Sequence, residues 1–445
     1  MAQASVHARI SRRVEAYGPR PEWHGESALE NLLKSKDLYS AAPSSVRPYE
    51  PDKFKVLSSG IVATSLRERL PPEGQWLMDH ASTLICRPQG QGDHMVESGE
   101  IIPVYPYWDV VLRRSRRKRL DLFRRLMDAG LVGLRLRIRA RAGIFFVTKK
   151  DGSLRMVIDG REPSSFHLRP PHTGLGSAAA ISSLDLSAAA LDATHPPEVP
   201  RDLHGASADL RQGFYQLTWR EMGSWFGFDY PEPIHEFGTN QIFDEATGCM
   251  ITVADDTMVF PVFEGLAMDW SWPLHLCNMV TADCLQVGIG RAFGVPPQQV
   301  PVLAEHCPVP LLRPDMVAVA SYVDNGNIIG TSPQIVAKAL AGFLGELTRR
   351  NLEYHEVELP TKHFTSGGVE FVFDEGICRH KPPRTWRLYE SLERLFSIGG
   401  CTGLSLRVVL GHLVCHFMLC RPALSCLDHL YRFVARDLYK YARFS

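Results

Sequence analysis

The stretch Val317–Ile329 constrains this chain more than any other, because it places an acid at the tip of an apolar hairpin. Apolar residues lead up to Asp324, turn-forming residues extend to Asn327, and apolar residues resume at Ile328. This order predicts a β-hairpin with a tight Asn-Gly turn. A carboxylate at a rigid tip suits a divalent cation, but aspartate is also common in turns because it bonds nearby backbone.

Length and composition place the chain among globular proteins. Its 445 residues are enough for two or three domains, and 45% hydrophobic with 22% charged residues is ordinary for a soluble protein. The ten cysteines contain no Cys-x-x-Cys pair, so we expect reduced thiols. We find no apolar run of membrane-spanning length and no signal peptide, which predicts a nuclear or cytoplasmic protein without a membrane partner.

Basic residues are concentrated in one band, although the formal net charge is zero. Such a band attracts phosphate backbones, and the alternative is a solvated helix face. The band consists of Arg113, Arg114, Arg116, Arg117, Lys118, Arg119, Arg124, Arg125, Arg135, Arg137, Arg139 and Arg141.

A second hairpin is predicted over Ile144–Asp159, where two β-rich runs flank an Asp-Gly pair. Lys149, Lys150 and Arg155 lie around this ribbon, and we expect them to reach a polyphosphate. Taken alone, the ribbon is only a basic hairpin.

A second candidate acid follows a short strand. Asp209 ends that strand, and Phe214 lies on the helix that begins after it. Carboxylates from two separate strands, here Asp209 and Asp324, are able to bridge a metal pair for phosphoryl transfer. Asp185 has a similar setting, but Ala190 occupies the position that corresponds to Phe214, and we reject it.

Several further elements are predicted from periodicity. They are a helix ending near Gly130, strands at Phe226–Tyr230 and Met258–Val262, turn residues at Asp255 and Asp256, an amphipathic helix over Gln334–Arg350, and helices from Trp386 onward.

A group of histidines and cysteines near the C-terminus suggests zinc, because His412 and His416 would share a helix face. The apolar residues between them favour a core helix instead, and no paired-cysteine knuckle accompanies them. The group is His412, Cys415, His416, Cys420, Cys426 and His429.

The order of these segments resembles that of retroelement reverse transcriptases, and the resemblance covers about residues 113–434. It is carried by Lys149-Lys-Asp-Gly-Ser-Leu-Arg-Met-Val-Ile-Asp-Gly-Arg161, Asp209-Leu-Arg-Gln-Gly-Phe-Tyr215, Ala267-Met-Asp-Trp270, Tyr322-Val-Asp-Asn325, Gly367-Gly-Val-Glu-Phe371 and the segment from Gly411-His-Leu to Tyr431-Arg-Phe433.

The resemblance implies a role for each matching residue. Asp209 and Asp324 would hold two Mg²⁺ or Mn²⁺ ions, with Asn325 beside them in the catalytic motif. Lys149 and Arg155 would contact the incoming triphosphate, and Phe214 would lie under its sugar. The remaining positions are Met268 for the nucleotide, and Tyr322, Trp270, Gly367 and Gly368 for the primer and template.

The resemblance also implies an α+β right-hand polymerase fold. Its palm would be an antiparallel sheet backed by helices, its fingers β-rich and its thumb helical. We expect an N-terminal extension at 1–103, fingers at 104–203, palm at 204–376 with returning fingers strands at about 225–262, and a thumb-like helical region at 377–445.

The implied activity is template-directed transfer of deoxynucleotides to a primer 3′-hydroxyl, with an RNA or DNA template-primer and deoxynucleoside triphosphates as partners. Departures from the family pattern are Asn325 in place of a second Asp, Asp269 in place of Gly, and Ala267 in place of Pro. We expect Asp269 to limit activity more than Asn325. The alternatives are a catalytically dead remnant that binds nucleic acid and a purely structural domain.

Overall fold

A four-stranded antiparallel sheet and two long helices behind it form the centre of the structure. The computed structural model describes residues 11, 14–15, 17–21, 25–34, 46–56, 63–88, 105–149, 151–199 and 201–443. The fold is a mixture of helices and strands, as the sequence predicted. Its division into fingers, palm and thumb stays a prediction.

The described α-helices are α1 Gly25–Lys34, α2 Leu66–Arg69, α3 Pro72–Asp79, α4 Ala81–Leu84, α5 Val110–Arg114, α6 Arg116–Asp128, α7 Arg161–Ser165, α8 Ala178–Ser182, α9 Ala188–Asp192, α10 Gly213–Gln216, α11 Pro273–Phe293, α12 Pro333–Arg349, α13 Pro382–Ile398, α14 Gly403–Phe417 and α15 Asp428–Arg436.

The described strands are β1 Val46–Arg47, β2 Thr64–Ser65, β3 Val132–Arg135, β4 Gly143–Thr148, β5 Leu154–Asp159, β6 His204–Leu210, β7 Leu217–Thr218, β8 Glu232–Pro233, β9 Gln241–Asp244, β10 Cys249–Thr252, β11 Met258–Phe263, β12 Ala318–Tyr322, β13 Asn325–Gly330, β14 Tyr354–Thr361, β15 His363–Ser366, β16 Val369–Val372, β17 Ile377–His380, β18 Gly400–Thr402 and β19 Tyr441–Arg443.

The central sheet has the strand order β12-β13-β6-β14, and all its pairs are antiparallel. Ala206, Ala208 and Ile328 are fully buried in it. On one side the sheet contacts α11 and α12. On the other side Phe364 of β15 lies so close to Gly205 that a Cβ there would be 2.4 Å from the ring. Because both faces are covered, these strands are apolar or small on both faces.

The hairpin β12–β13 turns two residues earlier than predicted. Tyr322 pairs with Asn325, so Val323 and Asp324 form the turn, while Asn325 and Gly326 already belong to β13. The predicted Asn-Gly turn is therefore wrong. Burial decides the register, since Gly326 lies under the ring of Phe343 and a Cβ there would be 2.5 Å from it.

The hairpin predicted over Ile144–Asp159 is present as β4 and β5, with β1 on its outer edge. The turn between its strands ends at Gly152, whose φ of +80° favours glycine. Lys150 lies outside the described residues.

The two further predicted strands had different outcomes. Met258–Val262 falls within β11, and Asp255 and Asp256 lie in the turn before it. The strand at Phe226–Tyr230 is wrong, because Phe226 ends the 3-10 helix Arg220–Phe226 and the residues after it make only isolated bridges.

The N-terminal part of the chain packs onto the C-terminal helices. Leu29 and Leu32 of α1 share a core with Leu388, Leu395 and Leu406 of α13 and α14. Arg20 adds ion pairs to Glu390 and Glu393 of α13. The described residues before Arg113 therefore join the same fold.

One helical stretch among the described residues, Gly403–Arg436, is long and apolar enough to cross a membrane by length and composition alone. The sequence analysis found no apolar run of that length, and the expected nuclear or cytoplasmic location stays a prediction. The stretch is interrupted at Cys420, whose φ of −138° and ψ of 70° are not helical. Its residues Leu406 and Val409 are buried in the core shared with α1.

His412 and His416 lie close to a third histidine, His380, which the sequence did not suggest; His380 and His412 are buried and His416 is half-buried. His380 of β17 stacks on His416, with ring centroids 4.2 Å apart. Desolvation lowers the pKa of His380 and His412 to about 4 and that of His416 to about 3, and the nearby cation Arg384 acts in the same direction. The rings are thus uncharged at neutral pH.

The contact between α11 and α12 generates a prediction about stability. A Cβ on Gly342 would lie 2.7 Å from the carbonyl oxygen of Gly288, whereas a Cβ on Gly345 of the same helix would meet nothing within 4 Å. We expect Gly342→Ala to lower the free energy of unfolding by about 1–3 kcal/mol through overpacking. Gly345→Ala, the matched control, should raise it by about 0.5–1 kcal/mol, because alanine favours helices. Urea titration measures both, and equal effects would contradict the close helix contact.

Candidate active site

The two predicted acids lie side by side although more than a hundred residues separate them in the chain. Asp209, near the end of β6, is directly opposite Asn325, the first residue of β13. Asp324 precedes Asn325, and its carbonyl oxygen accepts a hydrogen bond of 2.9 Å from the Leu210 N–H. Opposed residues of an antiparallel pair have Cα atoms about 4.5–5.5 Å apart. The sheet itself thus brings the acids together.

The turn that carries Asp324 is strained. Val323 has a φ of +59°, which costs a β-branched residue on the order of 1–3 kcal/mol. Asn278, a buried residue of α11, compensates by accepting a 3.0 Å hydrogen bond from the Val323 N–H on its Oδ1. The sequence analysis missed Asn278, because nothing local marks a helix residue that binds a turn elsewhere in the chain.

The environment of the pair raises the pKa of both acids. Burial raises the pKa of Asp209 to about 7, with further contributions from the charges of Asp324 and Glu356. Burial also raises the pKa of Asp324, while the positive charges of Arg155 and His355 oppose that shift. Two acids whose ionisation is suppressed in this way form a site that a cation would stabilise.

Two side chains of β14 join this site without having been predicted. His355 is opposite Asp209 in the sheet register, and Glu356 follows it at an irregularity in the pairing. Glu356 has a φ of +49°, and its side chain is 76% exposed. Its field raises the pKa of Asp209. No local sequence pattern predicts this irregularity, or β-bulge, in the pairing of β14. Only the assembled sheet shows that Glu356 lies near Asp209.

Phe214 lies next to the acids. It is half-buried on α10, and its carbonyl oxygen accepts a 3.1 Å hydrogen bond from the Leu266 N–H. The preceding residue, Gly213, packs against the turn, since a Cβ there would be 3.1 Å from that of Asp324. Gln216 fixes the helix by donating to the carbonyl of Glu353 at 2.8 Å.

The residues predicted to contact the triphosphate, Arg155 and Lys149, lie at different places in the structure. Arg155 is exposed on β5, and its charge lowers the pKa of Asp324, so it faces the acids. Lys149 lies at the hairpin turn, where its charge acts on Asp151. The structure thus brings Arg155 to the site and leaves Lys149 at the hairpin tip.

Met268 and Trp270 have opposite environments. Met268 is exposed, and its sulfur is 4.0 Å from the hydroxyl of Tyr215. Trp270 is buried, and its indole N–H donates to Nδ1 of His167 at 2.9 Å. A ring in the core has no surface to offer a primer or template, so we assign Trp270 a packing role.

The other residues predicted to contact the primer and template, Tyr322, Gly367 and Gly368, lie at two separate places. Tyr322 is half-buried at the end of β12, next to the turn of Asp324. Gly367 and Gly368 form the tight turn between β15 and β16, with φ values of +56° and +77°. That hairpin packs near Gly205, at the opposite end of β6 from Asp209, so it borders the sheet rather than the acids.

Seven of the twelve residues of the basic band have carboxylate, hydroxyl, backbone or ring partners within the protein, which reduces the charge available to a phosphate backbone. The arginines with internal partners are Arg116 with Glu232 and Glu236, Arg119 over Tyr230, Arg124 with Glu236, Arg125 with Tyr49 and Phe54, Arg135 with Glu245 and Glu264, Arg139 over Trp225, and Arg141 with Glu162. The exposed remainder is Arg113, Arg114, Arg117, Lys118 and Arg137.

Asp269 lies beside Asp159 and Arg161. Burial raises its pKa, and the neighbouring charges that act on it are those of Asp159 and Arg161. Asp159 lies four residues beyond Arg155 on β5, a separation of about 13 Å along a strand. The positive charge of Arg161, whose Nη2 is 2.6 Å from Oδ2 of Asp159, partly neutralises the carboxylates of Asp159 and Asp269.

The residues of the site suit a hard divalent cation. Asp209 and Asp324 supply carboxylate oxygens, which Mg²⁺ prefers. Asn325 hydrogen-bonds Asp209, yet its own Oδ1 is buried without a hydrogen-bond partner in the described part of the chain. A buried oxygen in this condition is costly, and coordination of a cation or its bound water would satisfy it.

Comparisons with known proteins give distant likenesses. No protein-family model and no curated protein matches this chain. A foamy viral protease–reverse transcriptase in complex with double-stranded DNA matches at 12% identity and a TM-score of 0.43, over 88% of this chain and 59% of that one. Two structures of the prototype foamy virus protease–reverse transcriptase, a mutant and the native form, match at 14% identity with TM-scores of 0.37 and 0.35.

In both prototype foamy virus structures, the match covers 72% of this chain and 36% of that one. The chain thus spans less than two thirds of the length of each of these proteins. We base the proposals that follow on the residues of this chain.

The raised pKa of Asp209 predicts a pH-dependent effect on stability. The folded pKa of about 7 lies above the unfolded value of about 3.9, so the stabilisation by the bound proton is lost as the pH rises from about 4 through 7. In metal-free buffer, Asp209→Asn should gain stability relative to the native chain over this range. We expect about 2 kcal/mol after allowance for partial exposure.

Urea titrations at several pH values measure that difference. Asp185→Asn is the control, because hydrogen bonds from Ser187 lower the pKa of Asp185 and its effect has the opposite sign and lies at acid pH. A pH-independent difference between the native chain and Asp209→Asn would contradict the raised pKa.

Proposed function

We propose that this chain is a reverse-transcriptase-like nucleotidyltransferase that extends a primer 3′-hydroxyl with deoxynucleotides on a nucleic-acid template. The observation that carries the proposal is the meeting of Asp209 and Asp324 at adjacent strand ends, in a half-buried site that suppresses their ionisation. The alternative interpretation, that Asp324 is an ordinary turn residue, explains neither its position beside Asp209 nor the suppressed ionisation of the two acids.

Each protein group has a distinct task in this proposal. Asp209 and Asp324 hold the cations, and Asn325 contributes its buried amide oxygen. Arg155 approaches from the β4–β5 hairpin and neutralises charge on the triphosphate. Phe214, next to the turn of Asp324, supports the sugar of the nucleotide and sterically opposes a 2′-hydroxyl.

The proposed cofactor is a pair of Mg²⁺ or Mn²⁺ ions, which would lower the pKa of the attacking hydroxyl and neutralise the developing charge on the phosphate. Asp209 and Asp324 are suited to hold them because ionisation of both acids is costly without a cation. The strained turn at Val323 keeps Asp324 in place before the substrate arrives, which reduces reorganisation during the reaction.

The second candidate function is a catalytically inactive domain that binds nucleic acid. The observation that favours it is Asn325, which provides a neutral oxygen where an ionised ligand would bind a cation more strongly. Glu356 offsets part of this loss, since it adds a carboxylate near Asp209.

A primer-extension assay separates the two candidates. With a DNA primer on an RNA template and Mg²⁺ or Mn²⁺, we expect extension by the native chain and a loss of at least about a hundredfold in Asp209→Asn and Asp324→Asn, because each removes a cation ligand. Asp185→Asn, the matched control, changes an acid in a similar sequence setting outside the site and should retain activity. Absence of extension by the native chain, with retained and salt-sensitive binding of the template-primer, favours the inactive domain.

Two substitutions that introduce the residues of the family pattern, Asn325→Asp and Asp269→Gly, test which of these two positions limits activity. The position of Asp269 beside Asp159 and Arg161 revises the ordering drawn from the sequence. We now expect Asn325→Asp to raise the extension rate about tenfold by adding an anionic ligand, and Asp269→Gly to change it less than threefold. Single-nucleotide extension rates of the two variants, measured side by side, decide which residue limits activity more. A larger gain from Asp269→Gly would support the expectation drawn from the sequence, that Asp269 is the more limiting residue.

A further inference from the structure

A second set of metal-ligating side chains lies apart from the paired acids. His172, Glu305 and His306 each offer one ligand atom, and these three atoms lie within 4.8 Å of one another. The two imidazole rings have centroids 4.8 Å apart. Two imidazoles and one carboxylate are a donor set for Zn²⁺, whereas the carboxylates and amide of the active site suit Mg²⁺.

The carboxylate of this set is already oriented. The Ser177 hydroxyl donates a 2.7 Å hydrogen bond to Oε1 of Glu305 and accepts one from the N–H of Ala180 at the start of α8. An outer hydrogen bond of this kind fixes the direction of a metal ligand and raises affinity.

The backbone holds the two ligand-bearing loops together. The Glu305 N–H donates to the carbonyl of Leu175 at 3.0 Å, which joins the loop after His172 to the loop that carries Glu305 and His306. His306 has a φ of +62°, in the left-handed region. The three ligands therefore come from two segments that are distant in the chain.

Both loops cover the outer edge of strand β12. The Gly176 N–H donates to the carbonyl of Ser321 at 2.6 Å. Leu303 donates to the carbonyl of Val319 at 2.7 Å, and the Val319 N–H donates to Pro301 at 2.9 Å. Strand β12 leads directly into the turn of Asp324, so a link between the loops supports the strand that positions this acid.

We propose that His172, Glu305 and His306 bind one Zn²⁺ ion that cross-links the two loops along the edge of β12. The three side chains leave at least one coordination position for water in tetrahedral geometry. Because the ion binds the folded chain but not the unfolded one, it raises stability. The proposal does not depend on polymerase activity.

Zinc titration of the full chain by isothermal calorimetry, after removal of metals with a chelator, tests the site. We expect one tight Zn²⁺ per chain, and a loss of affinity of at least about tenfold in His172→Ala, Glu305→Gln and His306→Asn. Asparagine is chosen because it tolerates positive φ, and glutamine because it keeps the hydrogen bond to Ser177. Ser177→Ala should weaken binding about tenfold.

Two controls distinguish this site from other metal binding. His235→Ala removes an exposed histidine whose Nδ1 is 2.8 Å from the carbonyl of Asp255, and it should leave the zinc affinity unchanged. Asp324→Asn should also leave it unchanged, which separates the site from the paired acids. Zinc should raise the melting temperature of the native chain, of His235→Ala and of Asp324→Asn, and should not raise that of the three ligand variants.

Unchanged zinc affinity in His172→Ala and His306→Asn would overturn the proposal, and so would loss of tight binding in Asp324→Asn. Circular dichroism of the metal-free variants checks folding. Should an alanine or asparagine variant fail to fold, Glu305→Gln decides the question alone, because it changes a charge without changing size.

Discussion

The juxtaposition of two partly buried carboxylates, those of Asp209 and Asp324, constrains the structure around it. Each acid raises the energy of the other in its ionised form, and burial adds to this cost. A fold tolerates such a pair only if the surrounding sheet and helices supply the stability that the pair lacks. The largely buried strands β6 and β13 and the helices behind them meet this requirement, because they form part of the largest apolar core of the described chain.

The need to stabilise the two acids also accounts for the contacts that hold the turn of Asp324. The strained conformation of Val323 persists because Asn278 and the Leu210 N–H bind the turn from two sides. The Cys277 thiol lies beneath it, and burial together with the two acids raises its pKa, so it remains uncharged. Strain, unpaired oxygen and suppressed ionisation occur together here, and this coincidence is typical of sites that bind charged ligands.

Supporting interactions reach outward from the site along both edges of the central sheet. On one edge, the irregular pairing of β14 brings His355 and Glu356 next to Asp209. On the other edge, the loops that carry His172 and Glu305 bind the main chain of β12. Because an edge strand has unpaired backbone groups, covering it fixes the position of the hairpin that ends at Asp324.

The sequence by itself determined the elements whose signal is local. The amphipathic pattern of α12, the Asp-Gly hairpin of β4 and β5, and the two acids at strand ends were all readable, because periodicity and turn chemistry act over a few residues. Local signals were misleading at the β12–β13 turn, where burial of Gly326 outweighed the preference of Asn-Gly for a turn.

Only the tertiary structure decided which charges are free and which groups meet. Most arginines of the basic band bind carboxylates or rings that are remote in the chain, so counting them from the sequence overstated the charge available to a phosphate backbone. Glu356 at its bulge and the group of His172, Glu305 and His306 have no local signature either. The reason is physical: these contacts join segments through packing, and the energy that selects them is spread over the whole core rather than encoded near each residue.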